Sequence, residues 1–437
     1  MISLSAAIAA ANAADLLPDR SQARSGDLHE PCELVDSLDA GNGAYLALVR
    51  TGARTIVVPG QLTDTGFHRA PVSEAILNTA SSGNFRIEHI NSLEPNPKPE
   101  NQSSEHSITV DQSNDSVIVN NAIMLKWQIN ATTSPAPSRL RALSSQPVTP
   151  LPIATIEWTD PNSGEVLTLA TATEFIPDSR DGWEWAVELV RSYAQGSGVD
   201  AITPFARIGQ MTGEMHAALA RTVTSNTDDT DIKELHHDRI QEFLNSALAD
   251  LNTACEIVDG PEGERLRARQ AAIRERLNTL TTVDHTPAIN THGDFHVGQI
   301  IESPAGEYYI VDFDGSPIAS PLERLAKQPA ARDIASMLAA IDHVARVVNY
   351  RTEGLEPQAS LIWAAHAQET FLLEYKDVLR REGLITILDE RLIEPFMLHQ
   401  ELREYIYSVR HLPHWRYVPD SVITSMFPEA SQNEGAI

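Results

Sequence analysis

The spacing of apolar residues changes at Pro177, and that change constrains the fold more than any other feature of the chain. Ahead of it, apolar residues come in short runs broken by turn formers. YLALVRTGARTIVVPG (45–60) holds two runs around Thr51-Gly52. SVIVNNAIMLKW (116–127) holds two more around Asn120-Asn121, where asparagine tolerates the positive φ of a tight hairpin turn. TPLPIATIEWTD and EVLTLATATEFIP read as further strands, parted by Pro161-Asn162-Ser163-Gly164. From DGWEWAVELVRSYAQG (181–196) onward the period is three to four. It recurs in IGQMTGEMHAALAR, HHDRIQEFLNSALADLNTACEIV, AARDIASMLAAIDHVARVVNY, ASLIWAAHAQETFLLEYKDVLRREG and IEPFMLHQELREYIYSVRH. This order predicts an α+β fold: a small β-rich lobe over 103–177, then a large, mainly helical lobe over 178–437. Residues 1–102 form a separate N-terminal unit in this reading. They open with Ala-rich MISLSAAIAAANAADLLPDR, which has no basic start and reads as an amphipathic helix rather than a signal peptide. EPNPKPENQSSEH (94–106) lacks periodicity and reads as a linker.

Charge narrows the function. With 60 Asp and Glu against 33 Lys and Arg, the 437-residue chain carries a net charge of −27. It lacks the basic excess that non-specific nucleic-acid or anionic-membrane binding needs, so neither partner is expected. A nucleotide ligand stays open, because a few cations, a metal and backbone amides can hold phosphates in an acidic protein. Only Cys32 and Cys255 occur and no apolar run approaches a membrane span, so a reducing cytoplasm is the expected location.

The chemistry concentrates in THGDFHVGQIIESPAGEYYIVDFDG (291–315). Gln299 stands five residues beyond Asp294, the Asp-to-Asn spacing of the kinase loop H-R-D-x-x-x-x-N. Asp312-Phe313-Asp314-Gly315 is one residue longer than D-F-G. Phosphoryl transfer needs a carboxylate to orient the acceptor hydroxyl and oxygen ligands for Mg²⁺. Asp294 fits the first role; Gln299 and Asp312 fit the second, with Asp314 as a further metal ligand. Upstream, Ser113, Asn114 and Ser116 offer hydroxyls and amides to phosphate, and Lys126 stands where a strand lysine pairs with the α/β-phosphates. Taken alone, these would be a polar hairpin turn and an exposed strand lysine. No helix Glu is apparent for Lys126, since SPAPSRLRALSSQ carries Arg139 and Arg141; phosphate or Asp312 is the expected counter-charge. Glu174 and Ile176 lie where an adenine-binding linker between lobes would run.

DQSNDSVIVNNAIMLKW, IGQMTGEMHAAL, HGDFHVGQI, YYIVDFDGSP, ARDIASML and REYIYSVRHLPHWRYVPD together resemble the actinobacterial maltokinase and glucosamine kinase group of the aminoglycoside-phosphotransferase-like kinases. The resemblance covers most of 105–420. It implies a bilobal protein-kinase-like fold with an N-terminal cap, ATP between the lobes, Mg²⁺ and a sugar acceptor. Lys126-Trp127 with EFIPDSRDGWEWAVEL, Asp314 where maltokinases carry Glu, and the C-terminal segment favour the glucosamine kinase branch. That branch implies transfer of the ATP γ-phosphate to O6 of D-glucosamine.

An aminosugar is a cation, so carboxylates and an aromatic platform suit it. Gln400, Glu404, Tyr407 and His411 follow three-to-four spacing and, with Trp415, could hold the sugar beside Asp294 and His296. Tyr405 and Tyr407 are expected in the core, Trp183 and Trp185 as packing residues, and His216 as a satisfied core histidine. Arg332-Asp333 is expected to brace the catalytic loop as a buried ion pair. The 15 histidines show no zinc-ligand spacing. The alternatives are a maltokinase making maltose 1-phosphate, an aminoglycoside phosphotransferase, and a nucleotide-binding pseudokinase. The pseudokinase reading draws on the missing helix Glu and on Gln in place of Asn. A monomer or weak homodimer is expected.

Overall fold

A computed structural model of the chain describes residues 2–18, 30–93, 105–108, 114–221 and 231–428. The chain divides into two compact units, Met1–Asp178 with Asp312–Leu325, and Ser179–Val311 with Ala326–Ile437.

The first unit is built on a ten-stranded sheet. Its strands are β1 (Cys32–Gly41), β2 (Ala44–Thr51), β3 (Arg54–Thr63), β4 (Gly66–Arg69), β5 (Phe85–His89), β6 (Glu105–Ser107), β7 (Asn114–Val119), β8 (Ile123–Thr132), β9 (Pro152–Thr159) and β10 (Val166–Glu174). The spatial order is β1-β2-β3-β8-β10-β9-β5, with β4 on β3, β7 on β8 and β6 on β7. Alternation along β2 and β3 explains their near-continuous apolar runs. Leu46, Leu48 and Val57 enter one core with Trp127 and Ile156, whereas Ala47, Val49, Ile56 and Val58 enter a second core with Ile8 and Leu16. Each fully buried Leu or Val contributes about 2 kcal/mol, so both faces help hold this sheet.

Both expected hairpins form. β2 pairs antiparallel with β3, and β7 with β8. Asn120 and Asn121 take φ of 54° and 53°, the left-handed pair that a tight hairpin turn needs. The expected N-terminal helix is instead two short ones, Leu4–Ala9 and Ala13–Leu16, the first capped by Ser3. Of the expected linker, residues 94–104 lie outside the described residues, while Glu105 and His106 belong to β6 and pair with β7.

The second unit is mainly helical. Glycine sets its tightest helix pair. A Cβ on Gly209 would fall 2.4 Å from the Phe371 carbonyl oxygen, and one on Gly213 would fall 2.6 Å from Val378 Cβ. The helix Thr203–Leu219 can therefore lie close against Pro357–Arg381 only with glycine at both positions.

Gly260–Leu277 is a helix that the apolar spacing did not announce. Its buried row is Leu266, Arg269, Ile273 and Leu277, and the arginine interrupts the pattern. Arg269 is buried because its guanidinium donates to the Phe427 and Arg265 carbonyls. Among the described residues no helix is long and apolar enough to cross a membrane.

Candidate active site

In the first unit, the β7–β8 hairpin places Ser116 opposite Lys126 and Asn114 opposite Gln128. These four side chains share one face, and Trp127 points to the other, where it is buried with its indole N–H on Ser73 Oγ at 3.1 Å. Lys126 Nζ lies 2.7 Å from Asp312 Oδ1 and 3.0 Å from Asp314 Oδ2. The counter-charges missing from the neighbouring helix thus come from the DFDG segment. Arg139, on the helix Ala136–Ala142, donates to the carbonyls of Phe313 and Arg324 and holds that segment.

The two aspartates differ. Asp314 Oδ1 accepts from Ser134 at 2.7 Å and Gln128 at 3.3 Å, and its side chain is 13% exposed. Burial works to raise its pKa, but the Lys126 ammonium and the Ser134 hydrogen bond outweigh it and hold the carboxyl below the ordinary range. The Asp312 side chain is 40% exposed, with a backbone φ of 65°, a conformation uncommon outside glycine that Asp and Asn tolerate best. Ser113 lies outside the described residues. At the end of β10, Glu174 N–H bonds the Leu151 carbonyl and Phe175 N–H the Ala122 carbonyl. The Ile176 N–H takes no acceptor among the described residues.

In the second unit, Asp294, His296 and Gln299 sit on one loop after the strand His285–Ala288. Gln299 leads into a short hairpin, Ile300–Glu302 with Tyr308–Ile310, so the strand read into YYIVDF is shorter than expected. His292 is fully buried; its Nε2 donates to the Val311 carbonyl at 2.9 Å, and its Nδ1 accepts the Asp294 N–H at 3.4 Å. Gln299 N–H donates to the His296 carbonyl, and its own carbonyl accepts from Val311, both at 2.9 Å.

The brace is Asp333, but not through Arg332. Its carboxylate accepts the N–H groups of His292 (2.6 Å) and Gly293 (2.9 Å) and the His216 ring nitrogen (3.1 Å). The other His216 nitrogen meets the Tyr375 hydroxyl at 2.9 Å, so the expected core histidine is satisfied on both sides. Arg332 lies over the rings of Phe243 and Phe396 instead. Burial would raise the Asp333 pKa; the bonds from His216 and Gly293 hold it below the ordinary value.

Asp333→Asn turns an NH₂ toward these donors and is expected to cost about 2–4 kcal/mol in urea unfolding near pH 7. Because the native pKa is depressed, the wild-type contribution is present above the unfolded value and is lost as pH falls through the folded one. The variant therefore lacks that acid limb.

Three of the expected acceptor residues, Gln400, Glu404 and Trp415, meet. On the helix Ile393–Arg410, Gln400 Nε2 donates to Glu404 Oε1, and Trp415 Nε1 donates to Glu404 Oε2, each at 2.9 Å. Trp183 packs, as expected, but against two of the expected site residues. It is half-buried, edge-on to Trp415 at 5.8 Å, and 6.5 Å from the His296 ring, so it joins the loop that carries His296 to this cluster. A Cβ on Gly182 would fall 1.8 Å from the Val297 carbonyl, which lets the helix Gly182–Ala194 start against the loop. Trp185 is buried, as expected, and donates to the Ile300 carbonyl.

Tyr405 is in the core, with its hydroxyl on Asp420. Tyr407 is not: it is 49% exposed beside His411, because its helix position faces outward. Sequence reading missed His343 and Glu401, a buried pair 2.8 Å apart under Trp415. Only the three-residue spacing of Glu401 and Glu404 hinted at it.

No protein-family model matches the chain. It is 40% identical over 332 residues to a glucosamine kinase of Streptacidiphilus jiangxiensis, 74% of each chain. It is 34% identical over 412 residues to a glucosamine kinase of Mycolicibacterium smegmatis, covering 91% of this chain and 99% of that one. A solved structure of a glucosamine kinase in complex with glucosamine, ADP and inorganic phosphate matches with a TM-score of 0.85 at 33% identity, over 98% of this chain and 100% of that one.

Proposed function

The chain belongs to the glucosamine kinase family, and on that premise we propose that it transfers the γ-phosphoryl group of ATP to O6 of D-glucosamine. The observation that carries the acceptor is the Glu404 carboxylate, held by two neutral donors, the Gln400 amide and the Trp415 indole N–H. A carboxylate fixed in this way suits an ammonium group, which would supply the missing positive charge.

Asp294 orients the O6 hydroxyl and takes its proton as the O6–Pγ bond forms; the bond from Pγ to the bridging oxygen breaks and ADP leaves. Lys126 neutralises phosphate charge, with Asn114, Ser116 and Ser113 as phosphate donors. The Ile176 N–H, and the backbone at Glu174, face the adenine. His296 and Trp183 complete the sugar surface with Gln400, Glu404 and Trp415.

The donor set fits Mg²⁺: the carboxylate of Asp312 and the amide of Gln299 are hard oxygen ligands, with Asp314 as a further carboxylate. Among the described residues no group of three or more His, Cys, Asp or Glu could hold a metal alone. That suits an ion that takes most of its ligands from phosphates and water. When bound, Mg²⁺ supplies charge neutralisation at the β- and γ-phosphates. Cys32 and Cys255 are buried free thiols, which suits a reducing cytoplasm.

An ADP-release assay across glucosamine, glucose, N-acetylglucosamine, maltose and an aminoglycoside tests the acceptor. A hydrogen bond between charged groups contributes about 1.5–3 kcal/mol, so kcat/KM for glucosamine should exceed that for glucose by about 10–150-fold. Turnover on maltose alone, or on the aminoglycoside alone, would refute the acceptor, and silence on every sugar would point to a pseudokinase.

A further inference from the structure

Glu401 and Glu404 are three residues apart on one helix, so their carboxylates project on neighbouring parts of its surface. Two such charges repel, and a buried one tends to take up a proton. Glu401 is 1% exposed, and burial raises its carboxyl pKa. His343, on the helix Ala331–Arg351, meets it with Nε2 2.8 Å from Glu401 Oε1 and is itself only 4% exposed. The second Glu401 oxygen has no hydrogen-bond partner among the described residues, so the carboxylate depends on His343. The His343 ring also stands edge-on to Trp415, 6.0 Å between centroids at 84°.

The charges around this pair sort themselves. Asp342, beside His343, is paired with Arg346 at 3.0 Å on the same helix. Burial alone would depress the imidazolium, but the Glu401 charge and hydrogen bond, with lesser help from the Glu404 and Asp342 charges, take its pKa up to about 9. Near neutral pH, Glu401 therefore has a cation of its own and so does Asp342. Among the described residues, Glu404 takes its hydrogen bonds from the neutral Gln400 and Trp415 side chains and meets the His343 charge only without a hydrogen bond.

We propose that His343 is a positioning residue for the acceptor: bound to Glu401 beneath Trp415, it fixes the indole that holds Glu404 and leaves Glu404 to receive a single ammonium group. This inference rests on the glucosamine reading of the cluster. His343 touches neither reacting atom; it acts through Trp415 and through the charge it removes from beside Glu404.

The test uses the full chain with three variants, His343→Gln, Glu401→Gln and the double variant, each first checked for ADP-dependent thermal stabilisation. His343→Gln is expected to raise KM for glucosamine about tenfold and to reduce the glucosamine-to-glucose preference by about the same factor. Its kcat and KM for Mg·ATP should stay within about twofold of wild type. Glu401→Gln breaks the pair from the other side, should show the same split, and carries the test if His343→Gln does not fold. The double variant, with no unpaired buried charge, should regain most of the lost KM.

An unmoved KM in the single variants, equal losses on glucose and glucosamine, or a double variant no better than either single would each overturn the role. A wild-type protein inactive on glucosamine would overturn the acceptor reading, and this inference with it. An active wild type with unmoved variants would overturn this inference alone.

Discussion

Asparagine in place of Asp294 is expected to lower kcat by about 10²–10⁴-fold while ATP and ADP still bind. The substitution keeps size and hydrogen-bonding reach but removes the only form that can accept the O6 proton. The backbone around it is held independently: His292 Nδ1 accepts the Asp294 N–H, and Asp333 grips the two preceding N–H groups. The loop should therefore keep its shape, and KM for Mg·ATP should stay within a few-fold of wild type. Initial rates at saturating glucosamine, with nucleotide affinity from thermal stabilisation, check both parts. A kcat within tenfold of wild type would remove Asp294 from the role of base.

The second large effect is expected at Asp312. Asn tolerates the left-handed φ of 65° as Asp does, so Asp312→Asn should leave the DFDG backbone in place. Lys126 keeps Asp314, which is anchored separately by Ser134 and Gln128. What would be lost is the negative oxygen ligand proposed for the metal. Metal charge stabilisation contributes several kcal/mol, so kcat should fall by about 10³-fold, with partial recovery as Mg²⁺ is raised. A variant whose rate and Mg²⁺ dependence match wild type would show that the metal is held elsewhere.

Much of this was legible because it is local. Asn120-Asn121 announces its hairpin, the helical periods after residue 181 announce their helices, and the spacing in HGDFHVGQ and DFDG announces kinase chemistry. Pairing across distance was legible only in part. Asp312 was expected as a counter-charge of Lys126 and is one, 186 positions along the chain, whereas Asp314, 188 positions along, was read only as a metal ligand and also pairs with the lysine. Asp333 braces the loop through His216 and backbone N–H groups, and the adjacent Arg332 that suggested an ion pair points to aromatic rings. Spacing identifies a helix face, but helix packing decides whether that face is inside, which is why Tyr405 is in the core and Tyr407 is not. The Gly260–Leu277 helix was hidden for a related reason: a buried arginine occupies a position where the pattern calls for an apolar side chain.

Whether the chain is an O6 kinase is decided by the position of the phosphate on the sugar it forms from ATP and glucosamine, read by carbon–phosphorus coupling in NMR. Phosphorus coupled to C6 is expected, with one ADP released per sugar phosphorylated. Coupling at C1, or ADP release with no phosphorylated sugar, would contradict it.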